Sequence, residues 1–230
     1  MELDAQELFE KIKTAEIKYH PFAHLIVDNF LPCVFYKQLA SQLEQQDFPT
    51  NYIRGSYGNR ERYAVDLTDY STWKSSGKNI STTLHLKNYE SLCSDNGSII
   101  QAFVDTLLKN EVEFYSLLGA KMPTERMRGD YFFHINMTKD DVGYTIGPHL
   151  DDRENIFTIL FYTPETDVNK KFGLNICQEK IDFIPNRMVI FPPSGPDERR
   201  PPTWHEVKRL TDKLVGTRNS FQMFFLQNNI

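Results

Sequence analysis

The sequence GPHLDD, at residues 147–152, places a histidine and an aspartate two positions apart, shortly before the apolar run at 155–164. Residues i and i+2 of an extended strand point to the same side, with their Cα atoms about 6.5–7 Å apart. On such a strand His149 and Asp151 would both face one metal ion. A His-x-Asp triplet alone is weak evidence, because it also arises by chance.

Two later segments carry the residue types that would complete a metal site. His205 starts a strand pattern after a proline-rich loop, and Arg218 and Ser220 lie two residues apart on the predicted last strand. Two neutral imidazoles and one carboxylate form a facial triad that leaves positions on Fe(II) open. Arg218 offers a fixed guanidinium fork for a carboxylate, with the Ser220 hydroxyl on the same side. These residues predict a ferrous ion beside an anchor for a chelating dicarboxylate, although a catalytic zinc ion uses the same ligand types.

The elements that must position these residues change in character along the chain. From about residue 130, short aromatic and β-branched runs alternate with turn residues, which predicts strands of a β-sandwich or barrel. Helical spacing of apolar residues predicts that the part before them is helix-rich. The predicted helices cover residues 3–16, 33–46 and 98–120, with Ser98 as an N-cap, and a short strand is predicted within 20–32.

Length, composition and charge exclude several classes. A chain of 230 residues with 40% hydrophobic and 25% charged residues is typical of one sizeable globular domain. The net charge of −5 and the absence of a basic segment give no reason to expect nucleic-acid binding. No apolar run approaches the ~20 residues of a membrane span, and the acidic start does not resemble a signal peptide. Three widely spaced cysteines predict a reduced, cytoplasmic setting.

The sequence resembles the Fe(II)/2-oxoglutarate-dependent oxygenases, in the branch related to prolyl hydroxylases. The resemblance covers most of the chain and rests on five segments in the family's order: HPFAHLIVDNFLP, GPHLDDRENIFTILFYTP, FGLNI, PNRMVIFPP followed by WHEV, and RNS. It implies a mainly β fold with flanking helices, the double-stranded β-helix (jelly roll, cupin-like), in one domain over 1–230. Residues 1–128 would form a helix-rich support region and 129–230 the jelly-roll core.

The resemblance also implies the cofactors and their ligands. Fe(II) would be held by His149, Asp151 and His205, and 2-oxoglutarate by Arg218 and Ser220, with O2 as the second co-substrate. Arg218 stands where many prolyl hydroxylases have lysine, so peptidyl-proline is not implied. We expect an oxygenase, most simply a hydroxylase, of a small molecule. A peptide or protein hydroxylase and a non-catalytic jelly-roll binding or sensing module are the alternatives, and the oligomeric state is open.

Further site residues follow from strand faces and loop composition. The more polar face of the predicted strand at 130–138 carries His134 and Asn136, which with Tyr144 are candidates to contact 2-oxoglutarate; the alternative is a structural role for each. The polar, aromatic loop before residue 64 is either a solvated loop or a lid that holds an anionic substrate. The lid hypothesis names Arg54, Tyr57, Arg60, Arg62 and Tyr63.

Overall fold

The computed structural model describes residues 3–45, 61–68 and 98–227. The helices of this part are α1 (Ala5–Thr14), α2 (Cys33–Gln45), α3 (Ile99–Lys109), α4 (Glu111–Lys121) and the short 3-10 helix Lys170–Phe172. Its strands are β1 (Ile17–Lys18), β2 (His24–Val27), β3 (Arg62–Asp66), β4 (Tyr131–Asp140), β5 (Ile146–His149), β6 (Asn155–Tyr162), β7 (Leu174–Ile176), β8 (Glu179–Ile181), β9 (Arg187–Phe191), β10 (His205–Val207) and β11 (Arg218–Gln227).

The strands form two antiparallel sheets. The large sheet has seven strands in the order β1-β2-β9-β6-β11-β4-β3, and the small sheet has four in the order β5-β10-β7-β8. Together with the helices that precede and flank them, these sheets make the predicted double-stranded β-helix. Strands β1, β2 and β3 come from the first half of the chain and extend the large sheet at its two edges, so the part before residue 128 supplies strands as well as helices.

The two faces of the large sheet pack against different layers. Alternate residues of β4 and β11, such as Phe133, Ile135 and Phe225, belong to one apolar cluster with side chains of all four helices. Residues on the other face of the same sheet, such as Leu160 of β6 and Phe191 of β9, belong to a second apolar cluster with the small sheet. Since successive strand residues point to opposite faces, the polar residues of the second face lie between the sheets.

Local sequence explains where α1 begins and which face it buries. Asp4 is its N-cap, and its carboxylate accepts a hydrogen bond of 2.9 Å from the Gln6 amide. Leu8 and Ile12, four residues apart, are fully buried on one face of the helix.

The single helix predicted over residues 98–120 is two helices. The chain leaves helical geometry at Asn110, where φ is −116° and ψ is 20°, and Phe114 of the second helix packs on Phe9 and Phe133. The Ser98 side chain makes no capping bond to its own helix. Gln42 of α2 serves instead, because its Oε1 accepts from the Ile100 amide at 3.2 Å. A cap supplied by another helix leaves no local sequence signal.

No helix in the three described ranges is long and apolar enough to cross a membrane.

Candidate metal centre and its cavity

Three side chains converge between the sheets. His149 ends β5 and His205 begins β10, and these two residues lie opposite each other in the ladder of the small sheet. Asp151 Oδ1 lies 3.5 Å from His205 Nε2 and 3.9 Å from His149 Nε2. One ligand atom from each of the three residues lies within 4.8 Å of the others.

The route by which Asp151 reaches this point differs from the prediction. The sequence predicted one extended strand through His149 and Asp151, but β5 ends at His149. Asp151 lies in the irregular segment after the strand, at the entry to a turn that leads into β6, in which Asn155 N donates to Asp152 O at 3.0 Å. Convergence therefore comes from the end of a strand and a turn, and not from strand alternation.

Hydrogen bonds fix how both imidazoles face the centre. His149 Nδ1 donates to Gly147 O and His205 Nδ1 donates to Thr203 O, each at 2.9 Å. A carbonyl oxygen accepts only, so Nδ1 carries the proton and the Nε2 lone pair is directed at the other two groups. This is the orientation that metal-binding histidines adopt.

The electrostatics of the three groups are coupled. Burial lowers the pKa of His149, and the neighbouring His205 lowers it further. Burial works against protonation of His205, but the Asp151 carboxylate outweighs it and raises the pKa of His205. Burial opposes ionisation of Asp151, but His205 and the Thr158 hydroxyl outweigh it and hold the pKa of Asp151 low. A metal cation placed among the three groups would balance the negative charge of the Asp151 carboxylate.

Two side chains that the sequence did not indicate support this centre. Thr158 Oγ1 donates to Asp151 Oδ2 at 2.5 Å, which orients the carboxylate. Arg126 Nη1 donates to the backbone oxygens of Asp152 at 3.0 Å and Asn155 at 2.9 Å, and its Nη2 binds Glu198 Oε1. Arg126 thereby ties the turn that carries Asp151 to the loop that leads towards His205.

The triad opens onto a cavity of about 370 Å³ that runs along the inner face of the large sheet. Arg62 and Arg218 line the same cavity as the triad, and so do the β4 residues His134, Asn136 and Thr138. The predicted polar face of this strand is the one that faces the cavity.

Arg218 is 2% exposed and held on several sides. Its Nε donates to Phe172 O at 2.9 Å and its Nη1 donates to Asp140 Oδ2 at 2.7 Å. Its guanidinium carbon lies 5.1 Å from the ring centroid of Phe183. Arg218 therefore forms a buried ion pair with Asp140 and also lines the cavity.

The other predicted 2-oxoglutarate contacts on β4 and β11 lie at increasing distances from Arg218 along the strands, with Ser220 nearest and His134 furthest. The hydroxyls of Ser220 and Thr138 lie 2.9 Å apart in a buried pair. Asn136 Oδ1 is buried and has no hydrogen-bond partner among the described residues. His134 Nδ1 lies 3.0 Å from a threonine hydroxyl, Thr68 Oγ1.

Tyr144 also lines the cavity, and its ring lies under the Arg62 guanidinium, 4.2 Å from centroid to carbon. Burial, with a smaller contribution from the carboxylate of Asp140, raises the pKa of the Tyr144 phenol above its ordinary value. The phenol therefore stays neutral and can donate a hydrogen bond into the cavity.

The five residues named by the lid hypothesis differ in where the structure places them. Arg54, Tyr57 and Arg60 lie outside the described residues. Arg62 lies on β3 and not in a loop, and it contacts protein groups in the cavity. Tyr63 alternates to the other face of β3, away from the cavity that its neighbours Arg62 and Ala64 line.

Asp140 is the most informative residue that the sequence reasoning missed. It is fully buried and accepts hydrogen bonds from both Arg62 and Arg218. The sequence did indicate its position, because Asp140 is an even number of residues from His134 and Asn136 and therefore shares their face of the strand. Thr158 lies within an apolar run that contains other hydroxyl residues, and nothing in the sequence distinguishes it from an ordinary strand threonine.

Comparisons with known proteins identify the fold. No family model matches the chain, and no curated protein matches its sequence. A prolyl-4-hydroxylase from Pseudomonas putida is similar in structure, at 13% identity and a TM-score of 0.51, over 96% of this chain and 98% of that one. The 2-oxoglutarate complex of dioxygenase for auxin oxidation 1 from Arabidopsis thaliana is similar at 16% identity and a TM-score of 0.55, over 97% and 88%.

A third structure is the viral collagen prolyl hydroxylase of Paramecium bursaria Chlorella virus-1 in complex with 2-oxoglutarate. It shares 12% identity and a TM-score of 0.51, over 90% of this chain and 96% of that one. At such identities the similarity is one of fold, and the chemistry of this chain must be argued from its own residues.

Proposed function

We propose that the chain is a non-haem Fe(II)/2-oxoglutarate-dependent dioxygenase of the branch related to prolyl hydroxylases, with an Arg-x-Ser anchor. The observation that carries the proposal is the placement of two Nε2 atoms and one carboxylate oxygen within 4.8 Å, in a cavity that Arg218 also lines. The triad alone, or the buried arginine alone, would have an ordinary structural explanation. Their combination in one cavity matches a chelating dicarboxylate bound between a metal and a cation.

The donor set fits a ferrous ion. Both Nδ1 protons are bound by backbone carbonyls, which leaves both Nε2 atoms, 3.5 and 3.9 Å from Asp151 Oδ1, to bind a metal. Two imidazoles and a carboxylate leave open positions on Fe(II) for a bidentate co-substrate and O2. Zinc accepts the same ligands, but a zinc site gives no reason for a buried arginine in the same cavity.

The chain's own residues bind, orient and shield. His149, Asp151 and His205 would hold the metal, and Thr158 fixes the carboxylate through its 2.5 Å hydrogen bond. Arg218 would bind the far carboxylate of 2-oxoglutarate. With Fe(II), 2-oxoglutarate and O2 bound, the centre supplies the oxidising chemistry that converts 2-oxoglutarate and O2 into succinate and CO2 while a substrate C–H bond is hydroxylated.

The remaining polar side chains of the cavity would complete the 2-oxoglutarate site. The Ser220–Thr138 hydroxyl pair adjoins Arg218 on neighbouring strands. Asn136 offers a buried oxygen that lacks a partner among the described residues, and Tyr144 offers a neutral hydroxyl. His134 lies on the face of β4 that lines the cavity and would contact either 2-oxoglutarate or the substrate.

The size of the cavity supports a small-molecule substrate. A volume of about 370 Å³ lies within the range of small-molecule pockets, which is about 300–1,000 Å³. Of the three similar structures described above, two are named as prolyl hydroxylases and one as a dioxygenase for auxin oxidation, so the fold accommodates both substrate classes. A peptide hydroxylase is the second candidate, and a non-catalytic module would have no need for an intact triad beside Arg218.

The test is a turnover assay with a matched control. The purified chain is incubated with Fe(II), ascorbate and 2-oxoglutarate, and succinate is measured as candidate metabolites and peptides are added. We expect succinate formation that rises with one substrate class, together with the gain of one oxygen atom in that substrate. Asp151→Ala should abolish substrate-coupled succinate formation while the fold is retained. Full activity of that variant would refute the ligand assignment.

A further inference from the structure

One row of charged side chains crosses three neighbouring strands of the large sheet. Asp140 of β4 lies directly opposite Arg62 of β3 on one side and Arg218 of β11 on the other. The two arginines contact the same carboxylate, since Arg62 Nε lies 2.6 Å from Oδ1 and Arg218 Nη1 lies 2.7 Å from Oδ2. We call Arg62, Asp140 and Arg218 the charged row.

The charged row is withdrawn from water. Asp140 is fully buried, and the side chains of Arg218 and Arg62 are 2% and 18% exposed. Guanidinium groups stay protonated in proteins. One ionised carboxylate between two guanidinium groups therefore leaves one positive charge in excess. A buried charge that no counter-ion balances is costly, so the row favours an anion from the cavity that both arginines line.

The hydrogen bonds show how the two arginines differ. Arg62 donates from Nε and Nη2 to the two oxygens of Asp140, and its guanidinium lies over the Tyr144 ring. Arg218 spends Nε on Phe172 O and Nη1 on Asp140. The Arg218 guanidinium also lies over the Tyr162 ring, 5.6 Å from its centroid, and it lines the cavity together with the metal-binding triad. A ligand carboxylate would thus contact Arg218, while Arg62 acts through Asp140.

We propose that Arg62 sets the charge of the dicarboxylate site: by neutralising Asp140, it leaves the positive charge of Arg218 available for the far carboxylate of 2-oxoglutarate. This inference rests on the proposed function. Without Arg62, Asp140 and Arg218 form a neutral pair and the site loses its attraction for an anion. Arg62 is therefore a positioning residue of β3, outside the segments that carry the family resemblance.

A second substitution, at Asp140, should restore the 2-oxoglutarate binding that Arg62→Gln loses. Arg62→Gln removes the excess positive charge, and we expect 2-oxoglutarate to bind at least about tenfold more weakly, the loss expected for a charge-assisted interaction. The double variant Arg62→Gln/Asp140→Asn removes one charge of each sign and restores the excess. Its affinity should return to near that of the unmodified chain. Arg62→Gln leaves Asp140 paired with Arg218, so this variant carries no lone buried charge. The double variant leaves Arg218 without a carboxylate partner, so circular dichroism is used to check that both variants are folded.

The experiment measures binding without turnover. The full chain is loaded with Mn(II), and the dissociation constants of 2-oxoglutarate and of 2-oxopentanoate, which lacks the far carboxylate, are measured by calorimetry. We expect Arg62→Gln to weaken 2-oxoglutarate and to leave 2-oxopentanoate unchanged. Equal weakening of both ligands, or an unchanged affinity for 2-oxoglutarate, would overturn the inference. A double variant as weak as Arg62→Gln would overturn it as well.

The same measurement separates this inference from the proposed function. If the unmodified, Mn(II)-loaded chain binds neither 2-oxo acid, the proposed function itself fails. If it binds 2-oxoglutarate and Arg62→Gln binds it equally well, the function stands and the role of Arg62 is refuted.

Discussion

Thr158 tests whether the neighbours of the metal centre orient its ligands. Its hydroxyl donates to Asp151 Oδ2 at 2.5 Å, and the residue is 2% exposed. Replacing threonine with valine keeps the shape of the side chain and removes the donor. The buried carboxylate then loses one hydrogen bond, and such a bond to a charged group contributes about 1.5–3 kcal/mol.

That free energy sets the expected size of the effect. If the bond chiefly stabilises the metal-binding orientation of Asp151, Thr158→Val should weaken metal binding by about 10- to 100-fold, the range found when outer partners of metal ligands are removed. Thr158→Ser keeps the hydroxyl and should stay close to the unmodified chain. Isothermal titration with Mn(II) measures both variants. Equal affinity of the valine and serine variants would refute the view that this hydroxyl orients Asp151.

Two further substitutions test the supports of the site. Arg126→Ala removes the hydrogen bonds to the backbone oxygens of Asp152 and Asn155 together with the ion pair to Glu198. We expect the free energy of unfolding, measured with urea, to fall by about 3–5 kcal/mol. A fall of less than about 1 kcal/mol would show that the turn is stable without Arg126. Gly173→Ala should destabilise the fold, because a Cβ there would overlap the Ile181 carbonyl oxygen; a variant as stable as the unmodified chain in thermal unfolding would contradict this close approach.

Much of the fold and part of the site could be predicted from the sequence, because strand and helix patterns are local. Strand alternation in β4 placed His134 and Asn136 on the face that lines the cavity. Helical periodicity found α1 and α2 but missed the break at Asn110, because apolar spacing continues across it.

What was missed depends on contacts between distant segments. The charged row requires β3, β4 and β11 to pair in one particular register, and no local pattern specifies that register. Arg126 likewise bonds to residues 26 and 29 positions further along the chain. A residue that acts through a partner distant in sequence becomes visible only once the strands are in place.

The most direct test of the account is the metal content of the chain and of one ligand variant. Equilibrium dialysis against Fe(II) under argon, followed by elemental analysis, should find one ion bound per chain. The His205→Ala variant, with its fold checked by circular dichroism, should retain almost none at the same free concentration. Equal iron content in the two proteins would contradict the claim that His149, Asp151 and His205 form a single metal centre.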